Sequence, residues 1–191
     1  MGGFCSKLMS KIVNLRRSGQ GDIEMAYTFV EQIQVDTYGT RIGTAGNLVS
    51  GSGTAIAATS IEQDAAYWEV KVVEAGPFSV GLAKHYDPKN LNCQLSDLKG
   101  SVGIQSTSNK VSFENDDIIG VVVDQNNIPM LRFYKNGEEL FDLAVKKIQG
   151  VYMPAVSVDL GAELELNFDE ASWSHECPRS CKPLMKAMDM I

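Results

Sequence analysis

The chain has 191 residues and lacks any apolar run near the about 18 residues that a helix needs to cross a bilayer, so a helical membrane span is excluded. The start, Met1-Gly-Gly-Phe-Cys-Ser-Lys, lacks the apolar core of a secretory signal. Cysteine is scarce: Cys5, Cys93, Cys177 and Cys181 are too few for a disulfide scaffold. These absences lead us to expect a reducing, intracellular compartment. Histidine is scarcer, with only His85 and His175. His175, Cys177 and Cys181 lie close together, but Cys-x3-Cys has no second Cys/His pair beside it. Ordinary thiols near a tail are expected there, with no metal and no cofactor. The chain also has no internal repeat and no low-complexity segment.

Catalytic motifs are missing as well. Gly51-Ser52-Gly53 does not fit the G-x-S-x-G elbow, because its glycines stand at the wrong offset. The same stretch fails G-x-G-x-x-G, since Ile56 replaces the third glycine, and no phosphate-loop lysine follows. Asp116 and Asp117 read as a turn with solvated charges before an apolar strand. An enzyme is not expected.

Charge is lopsided. The net value of −7 argues against broad binding to nucleic acid. Yet four of the 17 bases, Lys7, Lys11, Arg16 and Arg17, stand before residue 20 with no acid among them, which leaves 13 bases against 24 acids in the rest. A basic tip precedes an acidic body.

From residue 27 onward the pattern is that of strands. In Tyr67–Glu74, Trp68, Val70 and Val72 alternate with Glu69 and Lys71, which predicts an inward and a solvent-facing side. Ala162–Phe168 alternates more cleanly. Ile118–Val123 is a continuous β-branched run, as expected of a strand covered on both faces. Asn136-Gly137 predicts a type I′ hairpin between Met130–Lys135 and Glu138–Leu143. Further strands are expected at Phe78–Lys84 and Val151–Val158, with weaker ones at Tyr27–Val35, Asn47–Ser50, Thr54–Ala58 and Gly100–Gln105. About ten short strands with close turns predict an all-β, antiparallel β-sandwich. His85–Leu98, rich in Asp, Asn and Lys, reads as a long surface loop. Leu184, Ala187, Met188 and Ile191 stand at helical spacing and suggest a short C-terminal helix on the sandwich.

The N-terminus carries the sharpest chemistry. Met1-Gly2-Gly3-Phe4-Cys5-Ser6 satisfies M-G-x-x-x-[ST], so myristoylation of Gly2 is expected after removal of Met1. One myristoyl chain binds membranes only marginally, with K on the order of 10⁴ M⁻¹. Cys5 lies where a second, palmitoyl chain would be added. Lys7, Lys11, Arg16 and Arg17 each add up to about 1 kcal/mol near an anionic leaflet. On a helical projection Phe4, Cys5, Leu8, Met9, Ile12, Val13 and Leu15 share one side and the bases, except Arg16, the other. The layout predicts an amphipathic anchor lying in the interface, with a Gly-containing hinge up to Gly21. The expected location is the cytoplasmic face of a membrane, the plasma membrane being the first choice.

Several strand segments resemble a known family. Tyr67-Trp68-Glu69-Val70 followed by Val80-Gly81-Leu82-Ala83 is similar to the Trp-Glu-Val and Val-Gly-Leu-Ala core of SPRY domains. Asp117-Ile-Ile-Gly120-Val-Val-Val-Asp124, Leu131-Arg-Phe133-Tyr134-Lys-Asn136-Gly137, Tyr152-Met-Pro154 and Leu164-Glu-Leu-Asn167-Phe168 follow in the family's order. The resemblance implies a bent sandwich of the concanavalin-like jelly-roll kind over residues 27–177, between the anchor (1–21) and a tail (178–191). It implies a non-enzymatic domain that recognises a protein or peptide through loops at one end; we expect the domain to be monomeric. The candidate loops are Thr37–Ala45, His85–Asn90 and Asn126–Pro129, and the side chains in them best suited to directional or stacking contacts are Arg41, His85, Tyr86 and Asp87. Two other readings stay open, a lectin-like sandwich and a self-associating membrane organiser. Asp124-Gln-Asn126-Asn127 could offer oxygens to calcium, but an EF-hand would need Glu where Lys135 stands.

Overall fold

The chain divides into two units, residues 1–32 and 33–191. The computed structural model describes residues 33–84, 86–178 and 181–185, all in the second unit. The anchor residues Gly2, Cys5, Lys7, Lys11, Arg16 and Arg17, together with His85 and residues 186–191, lie outside the described residues.

The described strands are β1 (Val35–Tyr38), β2 (Ile42–Ala45), β3 (Leu48–Gly51), β4 (Gly53–Ala57), β5 (Ala65–Glu74), β6 (Phe78–Ala83), β7 (Val102–Gln105), β8 (Ile118–Asp124), β9 (Met130–Lys135), β10 (Glu138–Glu139), β11 (Val145–Lys146), β12 (Met153–Val158), β13 (Glu163–Asn167) and β14 (Lys182–Pro183). They form a five-stranded sheet, β1-β4-β12-β6-β7, and a nine-stranded sheet along β10-β9-β8-β5-β13-β3-β2, with β11 on β9 and β14 on β5. Every pairing is antiparallel except β14 on β5.

The core lies between the sheets and follows the period of two. Trp68, Val70 and Val72 of β5, Ile119, Val121 and Val123 of β8, and Leu131 and Phe133 of β9 face inward from the large sheet. Phe78, Val80 and Leu82 of β6 and Val156 and Val158 of β12 meet them from the small sheet. Trp68 is buried, as its alternation predicts. Asn136 and Gly137 both take positive φ (50° and 85°), the left-handed pair that a type I′ turn needs.

Both outer faces carry a cover made from the chain itself. Across the small sheet, the segment from Tyr86 to Leu98 buries Leu91, Leu95 and Leu98 on Ile56, Ala83 and Ala155. Sequence composition reads this stretch as surface loop; it is irregular, with short 3-10 turns at Pro88–Asn90 and Leu95–Asp97, but three leucines anchor it. Across the large sheet, Trp173, Cys177 and Cys181 pack on Tyr67, Val122 and Tyr134. The ring of Tyr67 lies over Gly120, where a Cβ would stand 2.8 Å from the tyrosine oxygen.

That second cover corrects several expectations. Glu69, read as solvent-facing, is buried, because the chain from Ser174 to His175 closes over it: the Ser174 and His175 amides donate to its carboxylate at 2.7 and 2.9 Å, and the Tyr67 hydroxyl at 3.1 Å. The tail residues Lys182–Pro183 form a parallel strand on Ala66 and Tyr67; the short helix expected from Leu184, Ala187, Met188 and Ile191 falls mainly on residues 186–191, outside the described residues. The second arm of the Asn-Gly hairpin is a strand only at Glu138–Glu139; a 3-10 turn at Phe141–Leu143 follows, and β11 then returns to the edge of β9. The Thr37–Ala45 stretch is two strands, with only Gly39–Arg41 between them, since Ile42–Ala45 finds partners in Leu48–Gly51. Asp117 is 9% exposed rather than solvated. It accepts from the Glu114 amide (2.7 Å) and the Asn136 side chain (2.7 Å) and pairs with Lys135 (2.9 Å). Burial alone would raise its carboxyl, but these partners outweigh it and hold the group below the usual aspartate range.

Candidate functional site

One pole of the sandwich gathers the turns Gly39–Arg41, Gly51–Gly53 and Asp159–Gly161. Antiparallel register places them together: Ser52 donates its amide to the Arg41 carbonyl (3.0 Å), and Gly53 pairs with Val158. The cover over the small sheet reaches this pole at Leu91–Cys93. There the Thr54 amide donates to the Leu91 carbonyl (2.8 Å) and the Thr54 hydroxyl to the Cys93 carbonyl (2.7 Å). Gly39 is required by that approach, since a Cβ on it would stand 2.5 Å from the Leu91 oxygen.

Asn92 ties the cover to the turn. Its side-chain oxygen accepts from the Arg41 amide (3.3 Å), its side-chain nitrogen donates to the Thr40 hydroxyl (2.9 Å), and its carbonyl accepts from the Arg41 guanidinium (2.8 Å). Arg41 is therefore exposed but oriented. One guanidinium nitrogen is spent on Asn92, and the rest of the fork is open for a planar acceptor.

From Asn92 a concavity of about 650 Å³ runs along the cover of the small sheet, lined by Tyr86, Asp87, Lys89, Asn92, Asp97 and Lys99 among others. Tyr86 is half-buried against the leucine cluster of the cover, so its ring is held. Asp87 is exposed, but its carboxylate accepts the Lys89 amide (3.0 Å) and caps the 3-10 turn at Pro88–Asn90. Asp97 likewise accepts the Gln94 amide (3.2 Å). Both acids thus serve their own backbone. Arg41, Lys89 and Lys99 point their charge to solvent. The arrangement suits a ligand that brings carbonyls or carboxylates. Burial, then the nearby Asp97 charge, push the Cys93 thiol up, and it donates to the Asn90 carbonyl (3.0 Å) as a neutral group.

The structure thus brings Arg41 together with the segment that carries Tyr86 and Asp87. It places Asn126–Pro129 at the opposite pole, after the end of β8, where Gln125 bonds to Ile61 and Gln63. Asn92, which joins the two loops, carries no sequence signal: an asparagine in a polar stretch looks the same whether or not a turn closes on it.

The fold is a two-sheet antiparallel sandwich with Arg41 oriented on a turn at one pole. The sequence pattern of the SPRY domain matches residues 65–171, and the chain belongs to the SPRY domain family, whose members generally act as protein-interaction modules. Among solved structures, the TRIM65 PSpry domain is 13% identical, with a TM-score of 0.51 over 71% of this chain and 90% of that one. The SPRY domain of human HERC1 is 19% identical, with a TM-score of 0.48 over 63% of this chain and 87% of that one. A comparison with curated proteins gives no match.

Proposed function

We propose that the protein is a non-catalytic recognition module that is held at the cytoplasmic face of a membrane by N-terminal acylation and captures a protein ligand at the Arg41–Asn92 pole. The observation that carries the recognition half is the oriented Arg41 guanidinium beside a concavity whose acids are already engaged. The ligand it fits is an extended peptide or loop rich in carbonyl and carboxylate acceptors. Within the family, the start Gln34-Val35-Asp36-Thr37 resembles that of SPRY domain-containing protein 7.

The tether rests on Gly2 and Cys5, with Lys7, Lys11, Arg16 and Arg17 on the anionic leaflet. Gly2→Ala is expected to move the protein to the soluble fraction; unchanged membrane partition refutes the tether. Cys5→Ser is expected to leave the myristoyl in place and shorten membrane residence; full residence refutes a role for the second chain. Affinity capture from cells compares wild type, Gly2→Ala and Arg41→Ala. Loss of the captured ligand in Arg41→Ala at unchanged protein level supports this pole, and retention assigns recognition elsewhere.

A further inference from the structure

The small sheet ends at β7, and that edge is open among the described residues. Its hydrogen-bond parity follows from the register with β6. The Ser106 amide donates to the Phe78 carbonyl (2.9 Å), so Ile104 and Val102, at steps of two along the strand, also turn their backbone groups to β6. Gly103 and Gln105 turn theirs away. The Gln105 carbonyl accepts from the Ser108 amide (3.2 Å). The Gly103 amide and carbonyl and the Gln105 amide meet no partner among the described residues. Both residues are exposed, and Gly103 has no side chain to screen its backbone. The other edge of the same sheet is closed. There Asn47 covers β1, accepting from the Val35 amide (3.2 Å) and donating to the Ile33 carbonyl (3.2 Å).

The open edge is one wall of a groove of about 520 Å³. The facing wall is Leu143, Ala144 and Val145, all half-buried, where the chain turns into β11 at the edge of the large sheet. Leu143 and Val145 also pack on the core, so this wall is fixed. Phe141, two residues before Leu143, is 76% exposed. The charged members of the groove, Lys110 and Asp142, are exposed and take part in none of the ion pairs among the described residues.

We infer that this groove takes a single extended peptide strand from a protein partner, which adds to the edge of β7. The inference goes beyond the Arg41 pole and does not depend on it. Three features select that occupant. Free backbone groups on every second residue have the spacing of a ladder, and another extended backbone supplies donors and acceptors at that spacing. The volume agrees: by its rise and its spacings to neighbouring strands and sheets, a strand residue fills about 160 Å³, so the groove holds about three residues along a four-residue edge. Charge complementarity adds that an acid on the ligand meets Lys110 and a base meets Asp142. A second folded copy fits less well, because its own β7 lies in the same walled groove and does not project into another.

Peptides about ten residues long, the upper range of a strand, are selected from a random library on the full-length chain, and amide hydrogen exchange reads where they bind. In the free chain the Gly103 and Gln105 amides are expected to exchange faster than that of Ile104, and a selected peptide is expected to slow both. Gln105→Pro removes the outward amide and leaves the β6 ladder intact, which an edge strand tolerates. It is expected to weaken the peptide by about tenfold, whereas Gln105→Ala, which keeps the amide, leaves affinity unchanged. Methylating alternate amides of the peptide is expected to abolish binding with no change to the protein. Lys110→Glu is expected to weaken peptides that carry an acid. A selection that yields no binder overturns the inference, as do Gly103 and Gln105 amides already protected in the free chain. Peptides that bind without slowing these amides overturn it too, and their loss in Arg41→Ala assigns them to the other site. Self-association of the chain that Gln105→Pro abolishes overturns it in favour of a second copy.

Discussion

The sharpest energetic prediction concerns Glu69, a carboxylate that is 1% exposed in the middle of the large sheet. Its oxygens receive three donors, the Ser174 and His175 amides and the Tyr67 hydroxyl. Glu69→Ala removes all three acceptors at once. A buried donor left without a partner costs about 1–3 kcal/mol. The two amides can limit that cost by peeling away to water, at the expense of the edge-on contact between Trp173 and Tyr67, whose ring centres are 4.7 Å apart and which is worth about 0.5–1.5 kcal/mol. The expected loss is therefore about 2–4 kcal/mol, or roughly 5–15 °C in Tm. Glu69→Gln should cost less, about 1–2 kcal/mol: its amide oxygen can keep the Tyr67 and His175 donors, and its nitrogen then faces the Ser174 N–H. Urea unfolding gives the rank order, and amide hydrogen exchange locates the effect. In Glu69→Ala the Ser174 and His175 amides should lose protection before the amides of β8. If both keep their protection and the unfolding midpoint does not move, the capping role assigned to this carboxylate is wrong.

Three further outcomes follow from the same physics. Trp68→Ala should cost about 3–5 kcal/mol through the cavity it leaves between the sheets, measured by the urea midpoint; a stability equal to the parent's refutes the inward facing of β5. Asp117 has its folded pKa lowered, so its contribution is fully present above the unfolded value of about 4 and is lost as pH falls through the folded one. The stability gap between wild type and Asp117→Asn, about 2–3 kcal/mol at neutral pH, should hold down to about pH 4 and close below it, and a gap that widens in acid contradicts the assignment. Asn92→Ala should release the Gly39–Arg41 turn at a cost of about 1 kcal/mol and speed exchange at the Arg41 and Thr54 amides; unchanged exchange there means the turn does not depend on Asn92.

What the sequence revealed follows the range of each interaction. Alternation is local, so β5 and β13 and their inward residues could be read directly; β8 showed as a β-branched run, and the Asn136-Gly137 turn that marks β9 needed only two adjacent residues. β2 escaped because Ile42–Ala45 carries one bulky apolar side chain, and only its pairing with β3 makes it a strand. Glu69 misled for the opposite reason. Its position in the alternation is outward, as read, but outward is not solvent when a segment more than 100 residues away returns to cover the sheet. Leu91, Leu95 and Leu98 were visible as leucines, yet their spacing fits neither period, because the cover that holds them is irregular. Arg41 could be named from its loop, whereas its orientation depends on Asn92 across 51 positions of chain.

These covers also explain where recognition can occur. A sandwich has two broad faces and two poles, and a ligand that adds to a broad face must displace what lies there. In this chain the middle of the small sheet's outer face is taken by three buried leucines, and that of the large sheet by Trp173 and the two thiols over Tyr67 and Tyr134. Burial raises both thiols, Cys177 to about 12, and raises the Tyr134 hydroxyl to about 12 as well, so these groups are neutral packing atoms rather than nucleophiles at physiological pH. The poles and the sheet edges are left, and the poles differ. One carries an oriented guanidinium, the other exposed apolar side chains at Ile128, Val151 and Met185. A ligand held at one pole leaves the other open, because antiparallel strands that run from pole to pole keep the two apart.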